Sequence, residues 1–374
     1  MKIGLIIYGS LETLSGGYLY DHHLVDSLRE SGDEVDIISL PWRNYAAHLT
    51  DNLRVKLPRG FDILIEDELC HPSLISANSS MHDCPVVSLV HHLRSSEDRS
   101  GWQNRVYEFI EAKYLRTLDG FIFNSMTTSE KVRSILRQDT PAVIANPPTD
   151  RFGNPQSEEA ILERSNQKPI RLMFLGNLIA RKGLHTLLEA VADYVDQKSY
   201  SSNSFNSIRP GTGVLRDPVD IHLDIVGSED FDPRYARSMK LKVDQLGLTS
   251  FVEFHGAQSN HHLSELLKRT NILVVPSTFE GFGIAYLEGM CFGLPAIGTT
   301  SGAAQEIITN GLDGYLIEPG DSHSLVEKID MLLRDRRLLI RMSLAARQRY
   351  LKQPAWEESA TKIWRFLHSL AGIT

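Results

Sequence analysis

Basic charge is in short supply in this 374-residue sequence. Its 39 lysines and arginines stand against 47 aspartates and glutamates, a formal net charge of −8 at pH 7. The deficit argues against a general nucleic-acid binder and against broad adsorption to an anionic membrane, since both partners select basic surfaces, although a local basic face stays compatible with it. Cysteine is scarce too. Cys70, Cys84 and Cys291 are odd in number, widely spaced and without a CxxC pair, so neither a zinc site nor a disulfide framework is implied, and a reducing, cytoplasmic setting fits. Long apolar runs are missing. The opening MKIGLIIYGS has one lysine, and its apolar run is broken by Gly4 and ended by Gly9 and Ser10. That is too short for a signal h-region or a membrane span and reads as a first buried strand. Neither GxGxxG nor GxxxxGK[ST] occurs, which weakens a dehydrogenase or P-loop reading, and no repeat or heptad is evident.

What is present is a globular composition, 42% hydrophobic and 23% charged, in a chain long enough for two domains. Short apolar runs alternate with amphipathic stretches: IGLIIY, EVDIISL, FDILIED, PVVSLVHH, DGFIFNS and PAVIAN. After the polar, proline-bearing NPPTDRFGNPQSEEAILERSNQKP the rhythm restarts with IRLMFLG, DIHLDIVG, FVEFHG, NILVVPS, PAIGT and GYLIEP. This pattern predicts an α/β protein of two Rossmann-like, doubly wound domains facing each other across a cleft, one over 1–160 and the other over 168–352. The apolar spacing of Trp356, Ile363, Trp364 and Leu367 predicts a terminal helix with a wide buried face, over 355–374, packing back on the first domain. The serine-, asparagine- and glycine-rich stretch 197–218 reads as a surface insertion.

Three motifs carry chemistry. In SGGYLYD, Ser15, Gly16 and Gly17 follow the first strand, and paired glycines let backbone N–H groups approach an anion. A plain turn explains them equally well. In FLGNLIARKGLHTLLEA the strand ends at Gly176, and a loop with Arg181 and Lys182 leads through Gly183 into a helix. Cations at the carboxyl edge of a parallel strand sit where open α/β sheets bind ligands, though a solvated basic turn is the equal alternative. In PSTFEGFGIAYLEGMCFGLP, Gly281 and Gly283 leave a helix start bare, Glu280 precedes that helix, and Glu288 lies one turn into it. A buried carboxylate without donors is costly, so Glu288 should have partners, and a ligand hydroxyl would serve.

With seven residues between Glu280 and Glu288, this block resembles the E-x7-E signature of the retaining GT-B glycosyltransferases of family four. The resemblance runs along nearly the whole chain and takes in the Gly-Gly loop, the RKG turn, the strand ending at Gly256 and SGAAQEIITNGLDGYLIEPGD. It implies an acceptor domain followed by a nucleotide-sugar donor domain. It implies that Lys182, with Arg181 nearby, holds the donor's diphosphate, helped by backbone N–H groups of Gly16, Gly17, Gly283 and Ile284. Glu288 would take the ribose hydroxyls and Glu280 those of the transferred sugar. Gly227, Ser228 and the region of His255 and Gly256 would line the nucleoside pocket. Asn177 stands where the family often has an arginine, a departure that removes one phosphate cation. PVVSLV runs into His91 and His92, and of the two His91 better matches the family's histidine near the donor sugar.

The implied reaction is transfer of a sugar from a nucleoside-diphosphate sugar to a hydroxyl acceptor. No cofactor or metal is needed, because cations and a helix dipole stabilise the leaving group, and no DxD pair stands at a strand end. A non-catalytic nucleotide-sugar binder or scaffold, and an epimerase, are the competing readings. Nucleotide binding without donor turnover would mark the first, and an epimerised donor the second. The stretch 94–116 combines Arg99, Arg105, Lys113, Arg116 and Trp102. It reads as a weak membrane-surface contact for a lipid acceptor or as an ordinary solvated helix, and the balancing acids Glu97, Asp98, Glu108 and Glu111 favour the latter.

Overall fold

The computed structural model describes residues 1–12, 16–80, 82–97, 99–136, 139–204 and 221–373. The backbone separates into two compact units. The first holds Met1–Asp150, Glu280–Ile284 and Pro354–Thr374, and the second holds Arg151–Phe279 and Ala285–Gln353. The leading segment of the first unit ends at Asp150, where the sequence reading ran to 160, and the helix Glu158–Ser165 lies in the second unit.

Six strands build the sheet of the first unit: β1 (Lys2–Tyr8), β2 (Glu34–Leu40), β3 (Ile63–Asp67), β4 (Val86–Val90), β5 (Gly120–Phe123) and β6 (Ala142–Ile144). All pair in parallel in the order β2-β1-β3-β4-β5-β6. Such strands are covered on both faces, which is why they read as unbroken apolar runs rather than alternating ones. The period of two still sorts them. Ile3, Leu5 and Ile7 join the core under the helices Gly16–Glu30 and Trp356–Leu370, whereas Ile6 and Tyr8 join the core on the other face with Leu64, Val86 and Phe121. The terminal helix seats Trp356, Ile363 and Leu367 in the first of these cores and donates from Trp356 Nε1 to Ser27 Oγ at 2.7 Å. Trp364 is only partly buried and stacks on His368.

The sheet of the second unit comprises β7 (Ile170–Leu175), β8 (Ile221–Val226), β9 (Val252–Gly256), β10 (Ile272–Val274), β11 (Ala296–Thr299) and β12 (Gly314–Ile317). It is also wholly parallel, in the order β12-β11-β10-β7-β8-β9. Each sheet reverses direction once, between β1 and β3 in the first unit and between β7 and β10 in the second. Open α/β sheets hold ligands outside the carboxyl ends of the strands at such a reversal.

Two local expectations change. Gly16 and Gly17 are not loop residues but the first residues of the helix Gly16–Glu30, so their N–H groups are among the unpaired ones of a helix start. Ser15 lies outside the described residues. The helix Leu184–Ser204 runs on into the stretch read as an insertion from 197, and the remainder of that stretch lies outside the described residues.

Candidate functional site

The site residues of the first unit gather at the ends of β1, β3 and β4. His91, just past β4, places Nε2 3.0 Å from Oδ1 of Asp21, which is fully buried on the helix Gly16–Glu30. Gly17, one turn earlier on that helix, lies against the imidazole: a Cβ there would stand 3.2 Å from the ring. Tyr20 packs edge-on against the same ring at 5.3 Å. The His91 carbonyl accepts from Asn124 Nδ2 at 2.8 Å, and a Cβ on Gly281 would fall 2.4 Å from that oxygen, so only glycine fits there. His92 turns instead to Glu97 at 3.0 Å.

Charge at this edge is acidic. Burial, reinforced by the Asp21 carboxylate, pushes Asp67 at the end of β3 up to about 8. Burial works against a charged His91, but the hydrogen bond and charge of Asp21, with Asp67 and Glu68 behind it, outweigh this and raise the imidazole's pKa. The ring therefore stays protonated further up the pH scale than a free imidazole. Asp21 escaped the sequence reading. Its one signal was the helical spacing of four residues from Gly17.

In the second unit β7 ends at Leu175, and the chain passes Gly176 and Asn177 into a single 3₁₀ turn, Ala180–Lys182. Gly183 closes the turn with φ 72°, and a Cβ there would meet the Pro276 carbonyl at 2.0 Å, so the position admits only glycine. The aliphatic stem of Lys182 lies over Gly176. Gly227, just past β8, stands against the Gly176 carbonyl. Arg181 donates from Nη1 to the Phe279 carbonyl at 2.7 Å, and the Thr278 N–H returns to the Arg181 carbonyl at 2.8 Å. Arg181 thus ties the turn after β7 to the segment leading into Glu280.

Gly283, at φ 102°, precedes the helix Ile284–Cys291. Glu280 and Glu288 are each only 5% exposed. Glu288 has the donor that its burial demands, and it is Arg151, whose Nη1 meets Oε1 at 2.7 Å. In the sequence Arg151 stands inside the polar connecting segment, with no local signal to mark it.

The His255 ring is anchored by an acid. Its Nε2 lies 2.7 Å from Asp224, which also accepts from Arg171 at 3.0 Å and Arg269 at 3.1 Å. Burial alone would raise the Asp224 carboxyl, but His222, His255, Arg269 and Arg171 outweigh it and hold the group well below the usual carboxylate range. A DxD pair does follow β8, against expectation. Asp232 caps the helix Pro233–Gln245, and Asp230 accepts from Ser228 Oγ, so both acids have local partners. Among the described residues, three groups bring ligand atoms within 4.8 Å of one another: Asp21, Asp67 and His91; Glu68, His71 and Glu111; His222, Asp224 and Glu253. In the second, His71 commits Nδ1 to Glu68 and Nε2 to Tyr45, and in the third Asp224 already has its two arginines.

The acids of the 94–116 segment divide among different partners. On the helix Gly101–Leu115, Glu111 is fully buried, Glu108 pairs with Lys131, and before the helix Glu97 pairs with Arg99 and His92. Asp98 lies outside the described residues. Trp102, Val106 and Phe109 are exposed at helical spacing beside the exposed Arg105 and Lys113.

The family model for "Glycosyl transferases group 1" matches residues 156–349, just over half of the chain. N-acetyl-alpha-D-glucosaminyl L-malate synthase of Bacillus anthracis is 35% identical over 135 residues, 36% of this chain and 34% of that protein. The chain spans less than two thirds of the length of several curated relatives it matches. Among solved structures, sucrose-phosphate synthase from Thermosynechococcus elongatus superposes with a TM-score of 0.77 at 18% identity, covering 99% of both chains. HepE of Anabaena, in complex with UDP-glucose, gives 0.71 at 17% identity, covering 99% of this chain and all of that one. The fold is thus GT-B, and the chain belongs to the group 1 family of glycosyl transferases.

Proposed function

We propose that this protein is a retaining, metal-independent glycosyltransferase of family four that moves a sugar from a nucleoside-diphosphate sugar to a hydroxyl acceptor. One observation carries the reading. In the second unit Lys182 follows β7 and Glu288 follows β10, and these are the two strands between which the sheet order reverses. A cation for a diphosphate and a carboxylate for ribose hydroxyls thus flank the position where such sheets take nucleotides.

The second unit, in this reading, is the donor domain and the first the acceptor domain. When the glycosidic bond to the diphosphate breaks, its electron pair passes to a phosphate oxygen. Lys182 stabilises that charge, with backbone N–H groups of Gly16, Gly17, Gly283 and Ile284 as further donors. Asn177 adds a neutral donor, Gly227 borders the nucleoside, and Glu280 holds hydroxyls of the sugar. The acceptor hydroxyl attacks the face that the phosphate leaves, and its proton passes to the departing phosphate oxygen. His91, whose pKa Asp21 raises, donates to the sugar. HepE was solved with UDP-glucose, which favours a uridine nucleotide. The exposed Trp102, Val106 and Phe109 with Arg105 and Lys113 support a weak peripheral contact with an anionic membrane, at the cytoplasmic face. No described helix is long and apolar enough to cross one.

The test is incubation with UDP-, GDP- and ADP-sugars, reading nucleotide release and product configuration by NMR. A product of retained configuration is expected. An inverted product, an epimerised donor, or nucleotide binding without turnover of any donor would overturn the reading.

A further inference from the structure

Arg151 is the first residue of the second unit and is held from three sides. Its Nε and Nη2 both donate to Oδ1 of Asn260, at 2.9 and 2.7 Å, and its Nη1 donates to Oε1 of Glu288 at 2.7 Å. The guanidinium lies 5.2 Å from the centre of the Phe152 ring, which packs edge-on against Phe292 at 5.3 Å. Asn260 opens the helix Asn260–Arg269 after β9, and Phe292 closes the one that carries Glu288. The guanidinium therefore has one orientation, fixed by a neutral acceptor, an aromatic face and a carboxylate.

That orientation matters because Glu288 is the ribose contact of the donor reading, and a buried carboxylate is aimed by the donors that hold it. Arg151 takes Oε1 from one fixed direction, which sets the rotamer of the whole group. Resting on the donor reading above, we infer that Arg151 is a positioning residue for the nucleotide ribose: it fixes the rotamer of Glu288 so that the carboxylate receives the 2′- and 3′-hydroxyls together. Arg151 itself touches no substrate, and its effect is confined to the ribose end of the donor. A merely structural ion pair would affect every ligand of the unit equally.

The probes are UDP, 2′-deoxy-UDP and inorganic pyrophosphate, with affinities measured by calorimetry on the full chain. The wild type should prefer UDP over its deoxy analogue by about tenfold or more, the size of a charge-assisted hydrogen bond. In Arg151→Gln that preference should fall to near parity while pyrophosphate binds as before, and Arg151→Lys should restore part of it. Full preference in Arg151→Gln, or equal loss of UDP and pyrophosphate, would overturn the inference. Should Arg151→Gln fail to fold, Asn260→Ala releases the guanidinium from its other side and should lower the preference partway; an unchanged preference there overturns the inference as well. Failure of the donor reading looks different: the wild type binds no nucleotide, or Glu288→Gln keeps the full preference.

Discussion

Glu66 makes the stability of the first unit depend on pH in a way that can be worked from its surroundings. It lies on β3, fully buried, with Oε2 accepting from Asn78 Nδ2 at 2.9 Å and Oε1 without a hydrogen-bond partner. Burial pushes its carboxyl up to about 7 from an ordinary 4.5, against the pull of Asn78 and Tyr114. An acid raised in the fold binds its proton more tightly there than in the unfolded chain. Its stabilising contribution is therefore complete below pH 4.5 and is lost as pH climbs through 7. Each tenfold gain in proton affinity is worth roughly 1.4 kcal/mol, so the loss by pH 8 is about 3 kcal/mol. Glu66→Gln mimics the protonated acid in shape and removes this dependence. Urea denaturation of both proteins at pH 5 and pH 8 reads it out. The variant should be close to the wild type at pH 5 and more stable than it at pH 8, by up to about 3 kcal/mol. Asp67, Glu68 and Glu111, which burial also pushes up to about 8, 7 and 7, add to the wild-type slope, so the difference between the two proteins is the quantity that matters. A gap of the same size at both pH values would mean that Glu66 does not carry this dependence.

Three other outcomes follow from the site. Lys182→Ala should lower kcat/KM by about ten- to a hundredfold, the worth of one charge-assisted phosphate contact, while the melting temperature holds; a loss within twofold would remove Lys182 from the diphosphate. Asp21→Asn removes the charge that raises His91, so the limb of the pH–rate profile that reports the imidazole should move to lower pH, and an unmoved profile would detach Asp21 from His91. The double variant Trp102→Ala, Phe109→Ala should lose flotation with anionic vesicles while neutral vesicles float neither protein, and no flotation of the wild type would dispose of the membrane contact.

The strands were legible because a parallel strand covered on both faces must be apolar throughout, and all twelve runs picked out in the sequence became strands. E-x7-E and the RKG turn were legible because their residues lie close together along the chain. The partners of those residues were not. Arg151 and Glu288 are 137 positions apart, and Asp21 and His91 are 70 apart, so no local pattern joins them. The burial of Glu288 did require some donor, but only the fold says which. Gly16 and Gly17 were misplaced for a plainer reason. Paired glycines are poor helix formers, and nothing local shows that a helix begins on them rather than after them. A count of charges along 94–116 is equally blind to the face each acid occupies: Glu111 is fully buried and Glu108 pairs with Lys131.

The terminal helix carries a consequence for how this molecule comes into being. Trp356, Ile363 and Leu367 fill a core whose other members are residues 3 to 145, yet a ribosome delivers them only after the entire second unit has emerged. Until then only the helix Gly16–Glu30 shields that flank of the sheet made first, and the rest of it stays oily and open. Synthesis normally lets a leading domain settle before its successor appears. Here the leading half must wait for the tail, and shortening the chain at Gln353 would leave that flank open for good.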